Sequence, residues 1–268
     1  MKKLLLAAGF VTASMLLATA SHAQNVTVNN FYIPGDGRVP SDTRSYNINA
    51  NITVKVGGAT VINNELTESG QIQLVTSTVG TLSVWCTDAF HNLVDGSYSL
   101  ATLGGSNPYG DGDGHSLSTT QVGGIAALIN QFNTQSLDPN LFAHQHYTLT
   151  ELSSATQLAI WSVEYGPTYN PNTNFLFHSA DDVLNDTSDG GSNLVASFVT
   201  GAIDHPASST AVSELVPTTP GNNQAQSYVG SVTGLNQIIP APEPASFAVL
   251  GVGLAGLGLV RHRRNRRV

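Results

Sequence analysis

The chain has 268 residues, one cysteine and a formal net charge of −8 at pH 7, with 41% hydrophobic and only 10% charged residues. Between Gln24 and Pro240 it holds three basic residues, Arg38, Arg44 and Lys55, against seventeen acidic ones. A field of that sign argues against nucleic acid and anionic lipid as partners. The lone Cys86 excludes an intramolecular disulfide, and a body of this length can bury a sizeable core.

At the N-terminus Lys2 and Lys3 precede the apolar run Leu4 to Leu17 and the small-residue site Ser21, His22, Ala23. This reads as a secretory signal peptide over residues 1–23; a membrane-spanning anchor requires a longer apolar stretch and no cleavage site. From Asn25 to about Thr81 apolar and polar residues alternate in VTVNNFYI, ITVKVGG and QIQLVTSTVG, which predicts strands. Turns fall at Pro34 to Gly37, Gly57 to Gly58 and Asn63 to Asn64. Cys86 closes a further short strand, LSVWC, and a loop-rich stretch follows Leu93, with one more short strand at Tyr98 to Thr102.

Helical periodicity begins at about Thr119, where Val122, Ile125, Ala126, Leu128, Ile129 and Phe132 fall on one side, and runs to Thr134. A second helix is expected from a cap at Thr150, with Leu152, Ala155, Ala159 and Val163 as its apolar stripe and Gly166-Pro167 as its stop. Gln157 lies inside it. Short helices are expected at Ala180 to Asn185, capped by Ser179, and near Leu194 to Thr200, before strands return at Ala211 to Val216 and Ala225 to Val232. Strands, helices, strands is the order of an α+β domain, an antiparallel, sandwich-like sheet with a helical insertion, over residues 24–235.

Residues 236–268 have three parts. Pro242, Glu243 and Pro244 lead into the apolar run 245–260, and Arg261, Arg263, Arg264, Arg266 and Arg267 close the chain. The apolar run is long enough for a marginal transmembrane helix, and the arginines hold its end in the cytoplasm. The three parts together resemble a PEP-CTERM sorting signal. That resemblance implies export through the inner membrane of a Gram-negative bacterium and transient anchoring by the C-terminal helix. It also implies processing by an exosortase-type peptidase, then a place at the cell surface or in an extracellular matrix, in the context of biofilm or exopolysaccharide.

The chemistry of the body centres on two segments, VWCTDAFHNL and ATQLAIWSVEYG. A thiolate at Cys86 attacking the carboxamide carbon of Gln157 would expel ammonia and leave an internal thioester. An aromatic, Cys86, a small residue and Asp88, followed downstream by Thr156-Gln157-x-Ala159-Ile160-Trp161, resemble the paired signatures of bacterial thioester domains. In that family the Cys and Gln side chains are cross-linked, and the likeness spans Val84 to Gly166. It implies single-turnover covalent attachment to an amine-bearing partner, an adhesin or cross-linker and not a catalyst; no cofactor and no metal are expected. Trp85, Phe90, Trp161 and Tyr165 are suited to keep water off the acyl group, His91 to move a proton and Asp88 to orient backbone or a histidine.

Other readings stay open at this point. Cys86 is also a small buried hydrophobe in a non-covalent matrix protein, or the nucleophile of a secreted Cys-His hydrolase using His91, His144, His146, His178 or His205. His144 and His146 lack further zinc ligands, and Asp111 and Asp113 lack the ligand ladder of a calcium loop. The GHSLS sequence lacks the second glycine of a nucleophile elbow.

Overall fold

The structure, a computed structural model, describes residues 25–32, 47–77, 80–90, 93–101, 103, 117–136, 147–167, 173–185, 193–208, 212–218 and 227–231. The signal peptide, the sorting segment with its arginines, His91, His144, His146, Asp111 and Asp113 lie outside the described residues. No helix among the described residues is long and apolar enough to cross a membrane.

In chain order the strands β1 (Asn25–Tyr32), β2 (Asn47–Val56), β3 (Ala59–Gly70), β4 (Ile72–Thr76), β5 (Gly80–Cys86) and β6 (Gly96–Ala101) come first. Helices α1 (Thr119–Ser136) and α2 (Leu149–Tyr165), strand β7 (Thr173–Ser179), and helices α3 (Asp182–Asn185) and α4 (Leu194–Asp204) form the insertion. β8 (Val212–Pro217) and β9 (Tyr228–Ser231) complete the fold. This is the α+β arrangement expected, with all strand pairs antiparallel.

The strands make two sheets. One closes into a barrel in the order β1-β4-β5-β9-β8-β6, and the other has the order β3-β2-β7. Alternate residues fill the barrel: Val26 and Val28, Ile72 and Leu74, Leu82 and Val84 are buried. The second sheet buries Ala50, Ile52, Val54 and Phe175 on one face, against which α2 packs, while Leu66 and Leu176 stand exposed on the other. Gly57 and Gly58, both at positive φ, make the two-residue turn of the long β2–β3 hairpin, the geometry that matches strand twist.

The two sheets are joined by an abrupt transfer at Gly70 and Gln71. β3 ends at Gly70 in the second sheet, and β4 begins at Ile72 in the barrel. Gly70 has φ of 149°, a backbone conformation closed to residues with a Cβ. This corner positions the site.

α2 starts two residues earlier than its sequence suggested. Thr148, not Thr150, is the N-cap: its Oγ1 accepts from Glu151 N–H, and its own N–H donates to the Glu151 carboxylate, a capping box. Strand β7 was not anticipated; its alternation lies in a short segment between two helices, and pairing with β2 is what makes it a strand.

Candidate functional site

β5 overruns its neighbour. β4 pairs with β5 as far as Ile72 opposite Val84, and the next position on that side is empty of strand because the chain turns away at Gly70 and Gln71. On the other side β9 continues the ladder, with Trp85 opposite Val229, Cys86 opposite Tyr228, and Thr87 N–H donating to Ser227 O at 3.1 Å. The N–H and C=O of Cys86 therefore face the vacated side, and both are buried polar groups that need partners.

The partner is Gln157. Cys86 N–H donates to Gln157 Oε1 at 3.0 Å, and Gln157 Nε2 donates to Cys86 O at 2.8 Å. The carboxamide occupies the place that a next residue of β4 would have filled. Cys86 is 4% and Gln157 1% exposed, so the pair is closed to bulk water.

The first turns of α2 explain why Gln157 arrives there. Ser153 Oγ accepts from Gln71 N–H at 2.8 Å, and Ser154 Oγ donates to Ser69 O at 2.8 Å. These serines pin α2 to the corner between the sheets, and Gln157 follows them by three and four residues, one turn on along the same face. At the far end of α2, Tyr165 OH donates to Thr87 O at 3.3 Å and accepts from Ala89 N–H at 3.4 Å.

Acidic groups surround the thiol. Burial pushes the Cys86 thiol well above its ordinary range, and the negative charges of Asp88 and then Glu164 push it the same way. Asp88 is fully buried and its Oδ1 accepts from Phe90 N–H at 2.7 Å. Glu164, 3% exposed, lies two helical turns beyond Gln157 on the same side of α2. Glu214 in β8 accepts from Thr87 Oγ1 at 3.5 Å. Tyr98 and Tyr228, rings 5.4 Å apart, lie in the barrel beside Cys86, and burial raises both phenols.

The aromatic residues divide between two places. Phe90 meets Tyr165 edge-on at 5.4 Å, close over the loop that follows Cys86. Trp85 packs on Phe132 of α1 at 4.9 Å and Trp161 tilts against Phe175 at 6.2 Å, both within the core. His178 is exposed on β7 and His205 caps α4. Among the described residues no group of three or more His, Cys, Asp or Glu could hold a metal ion.

Sequence reasoning missed Glu164, Glu214, Tyr98, Tyr228 and the paired serines. Glu164 had a local signal, its seven-residue spacing from Gln157 on one helix. Glu214, Tyr98 and Tyr228 reach the site through strand pairings that no local pattern announces.

The chain is similar in structure to the pilus-presented adhesin Spy0125 (Cpa), solved twice. One solution has TM-score 0.35 and 12% identity, covering 78% of this chain and 48% of that one. The other has TM-score 0.30 and 12% identity, covering 77% and 66%. This chain thus spans about half the length of the first. No curated protein matches the sequence. Residues 240–264 match the PEP-CTERM protein-sorting motif. The chain is therefore an exported protein bearing a PEP-CTERM signal, processed by exosortase and located at the cell surface or outside the cell.

Proposed function

We propose that this surface protein forms an internal thioester between Cys86 and Gln157 and spends it once, in covalent attachment to an amine on a surface or matrix partner. The observation that carries this reading is the docking of the Gln157 carboxamide on the N–H and C=O of Cys86 itself, in a closed site. A glutamine held by the backbone of the lone cysteine has its electrophilic carbon brought to that residue and its oxygen already on a donor.

In formation, Cys86 Sγ bonds to the Gln157 carboxamide carbon and the thiol proton passes, by way of a nearby carboxylate such as Asp88 or Glu164, to the amide nitrogen. The carbon–nitrogen bond breaks and ammonia leaves. Cys86 N–H, 3.0 Å from Oε1, is in place to receive the negative charge that gathers on that oxygen in the tetrahedral intermediate. In use, the amine nitrogen of the partner bonds to the same carbon, the carbon–sulfur bond breaks, and the proton lost by nitrogen ends on sulfur. The raised thiol favours that neutral end state. Each molecule acts once, as an adhesin or cross-linker and not as a catalyst, and a matrix rich in exopolysaccharide is a setting where such a bond has an evident use.

Intact mass of the mature protein before and after methylamine, with thiol titration alongside, tests this. The expected result is a mass short by one ammonia and no free thiol, converted by methylamine to an adduct with one free thiol. Full mass with titratable Cys86 in fresh protein would favour the second reading, a non-covalent matrix protein. In that reading the same two hydrogen bonds serve only to cap the open edge of β5.

A further inference from the structure

We propose that Tyr165 is a positioning residue for the Cys86–Gln157 reaction, acting through its hydroxyl, so that α2 holds the end of β5 at two points and not one. This rests on the thioester reading above and adds to it a residue for which ring shielding alone would suffice.

Tyr165 is 1% exposed, and its phenol makes two hydrogen bonds to one short loop. It donates to Thr87 O and accepts from Ala89 N–H, the carbonyl and amide on either side of Asp88. The same helix holds Cys86 through Gln157, eight residues earlier. Between these two grips, Thr87 N–H is tied to Ser227 O and Phe90 N–H to Asp88 Oδ1. The loop carrying the nucleophile and the nearest carboxylate is thus referenced to the helix carrying the electrophile. When ammonia departs, the Nε2 to Cys86 O bond is lost, and the Tyr165 contacts remain to hold the two elements in register. Misplacement by about 1 Å at a reacting centre can cost orders of magnitude in rate.

Tyr165→Phe keeps the ring, its packing on Phe90 and its exclusion of water, and removes both hydrogen bonds. In wild-type mature protein, concentrated ammonia opens the thioester by the reverse of its formation and restores the Gln157 carboxamide. After desalting, re-formation is followed by loss of titratable thiol and of one ammonia from the mass. The expected result for Tyr165→Phe is that re-formation and ammonia opening both slow by about ten-fold, together, while spontaneous hydrolysis stays near wild type; the melting temperature falls by a few degrees, because Thr87 C=O and Ala89 N–H lose this partner. A merely looser structure would instead speed hydrolysis as well. 4-Aminophenylalanine at the same position, which keeps a donor on the ring, is expected to restore most of the rate. Wild-type rates in Tyr165→Phe would overturn the positioning role and leave the thioester intact. A wild-type protein with full mass and free thiol would sink the thioester reading itself, before any variant is made.

Discussion

Gln157 gives both ends of its carboxamide to one residue, and this makes the two halves of the pair unequal in a stability experiment. Cys86→Ala leaves the backbone N–H and C=O of residue 86 in place, so the carboxamide stays satisfied and the loss is a small buried side chain, about 1 kcal/mol. Gln157→Ala strands two buried backbone groups, each costing about 1–3 kcal/mol when left without a partner. Denaturant melts of the two variants, both unable to form the thioester, should therefore rank Gln157→Ala well below Cys86→Ala; equal stability would mean that the edge of β5 finds other partners. The thiol also sets a pH profile. Because burial, Asp88 and Glu164 raise it, the thiol stays protonated through neutral pH, and its proton travels to the leaving nitrogen, so thioester re-formation should hold a nearly constant rate up to the ordinary thiol range. A climb of about ten-fold per pH unit would show that the proton is first lost to solvent and not passed within the site. Cys86, Asp88 and Gln157 were all legible in sequence, because one cysteine and one glutamine within distinctive segments stand out locally. Glu214 was not, since only the β8–β9–β5 pairing brings it to Thr87.

Helix α2 is the element that brings Gln157 to Cys86. Its existence and its stop were readable from the apolar stripe and from Gly166-Pro167, and its start was misplaced by two residues because Thr148 and Thr150 both suit a cap. The glutamate three residues after Thr148 decides between them, since only Thr148 can complete a capping box with Glu151. Thr148→Ala should cost about 1 kcal/mol and lower the melting temperature by a few degrees. It should leave thioester occupancy unchanged by intact mass, because Ser153 and Ser154 set the helix on the sheet corner independently of its cap. Loss of occupancy in that variant would place the registration of Gln157 at the helix start instead.

At the scale of the whole molecule, the barrel encloses three groups whose neutral forms burial protects: Cys86, Tyr98 and Tyr228, all raised. In the unfolded chain they ionise near their ordinary values of 9.0 for the thiol and 10.0 for the phenols. Their contribution to stability is complete below those values and is lost as pH rises toward the folded ones. A thioester has no thiol to titrate, so it removes the lowest of the three. Urea midpoints at about pH 8 and about pH 10.5 should fall further for protein opened with methylamine than for intact thioester protein. Equal falls would assign the alkaline sensitivity to the phenols alone. Deleting residues 240–264 is expected to leave the protein unprocessed and absent from the surface fraction, read by immunoblot of fractionated cells.

Export and sorting were determined by sequence alone, because a Pro-Glu-Pro motif, an apolar run and an arginine cluster act as a linear signal that needs no fold to be read. Apart from β7, which pairing with β2 makes a strand, the strand and helix order was also local, set by periodicity in Val26 to Val84 and in α1 and α2. Tertiary structure decided the rest. That Gln157 meets Cys86 depends on β5 overrunning β4 by two residues, which depends on the chain leaving one sheet for the other at Gly70. A vacancy in a ladder is a property of three strands at once, and no segment of the sequence contains it.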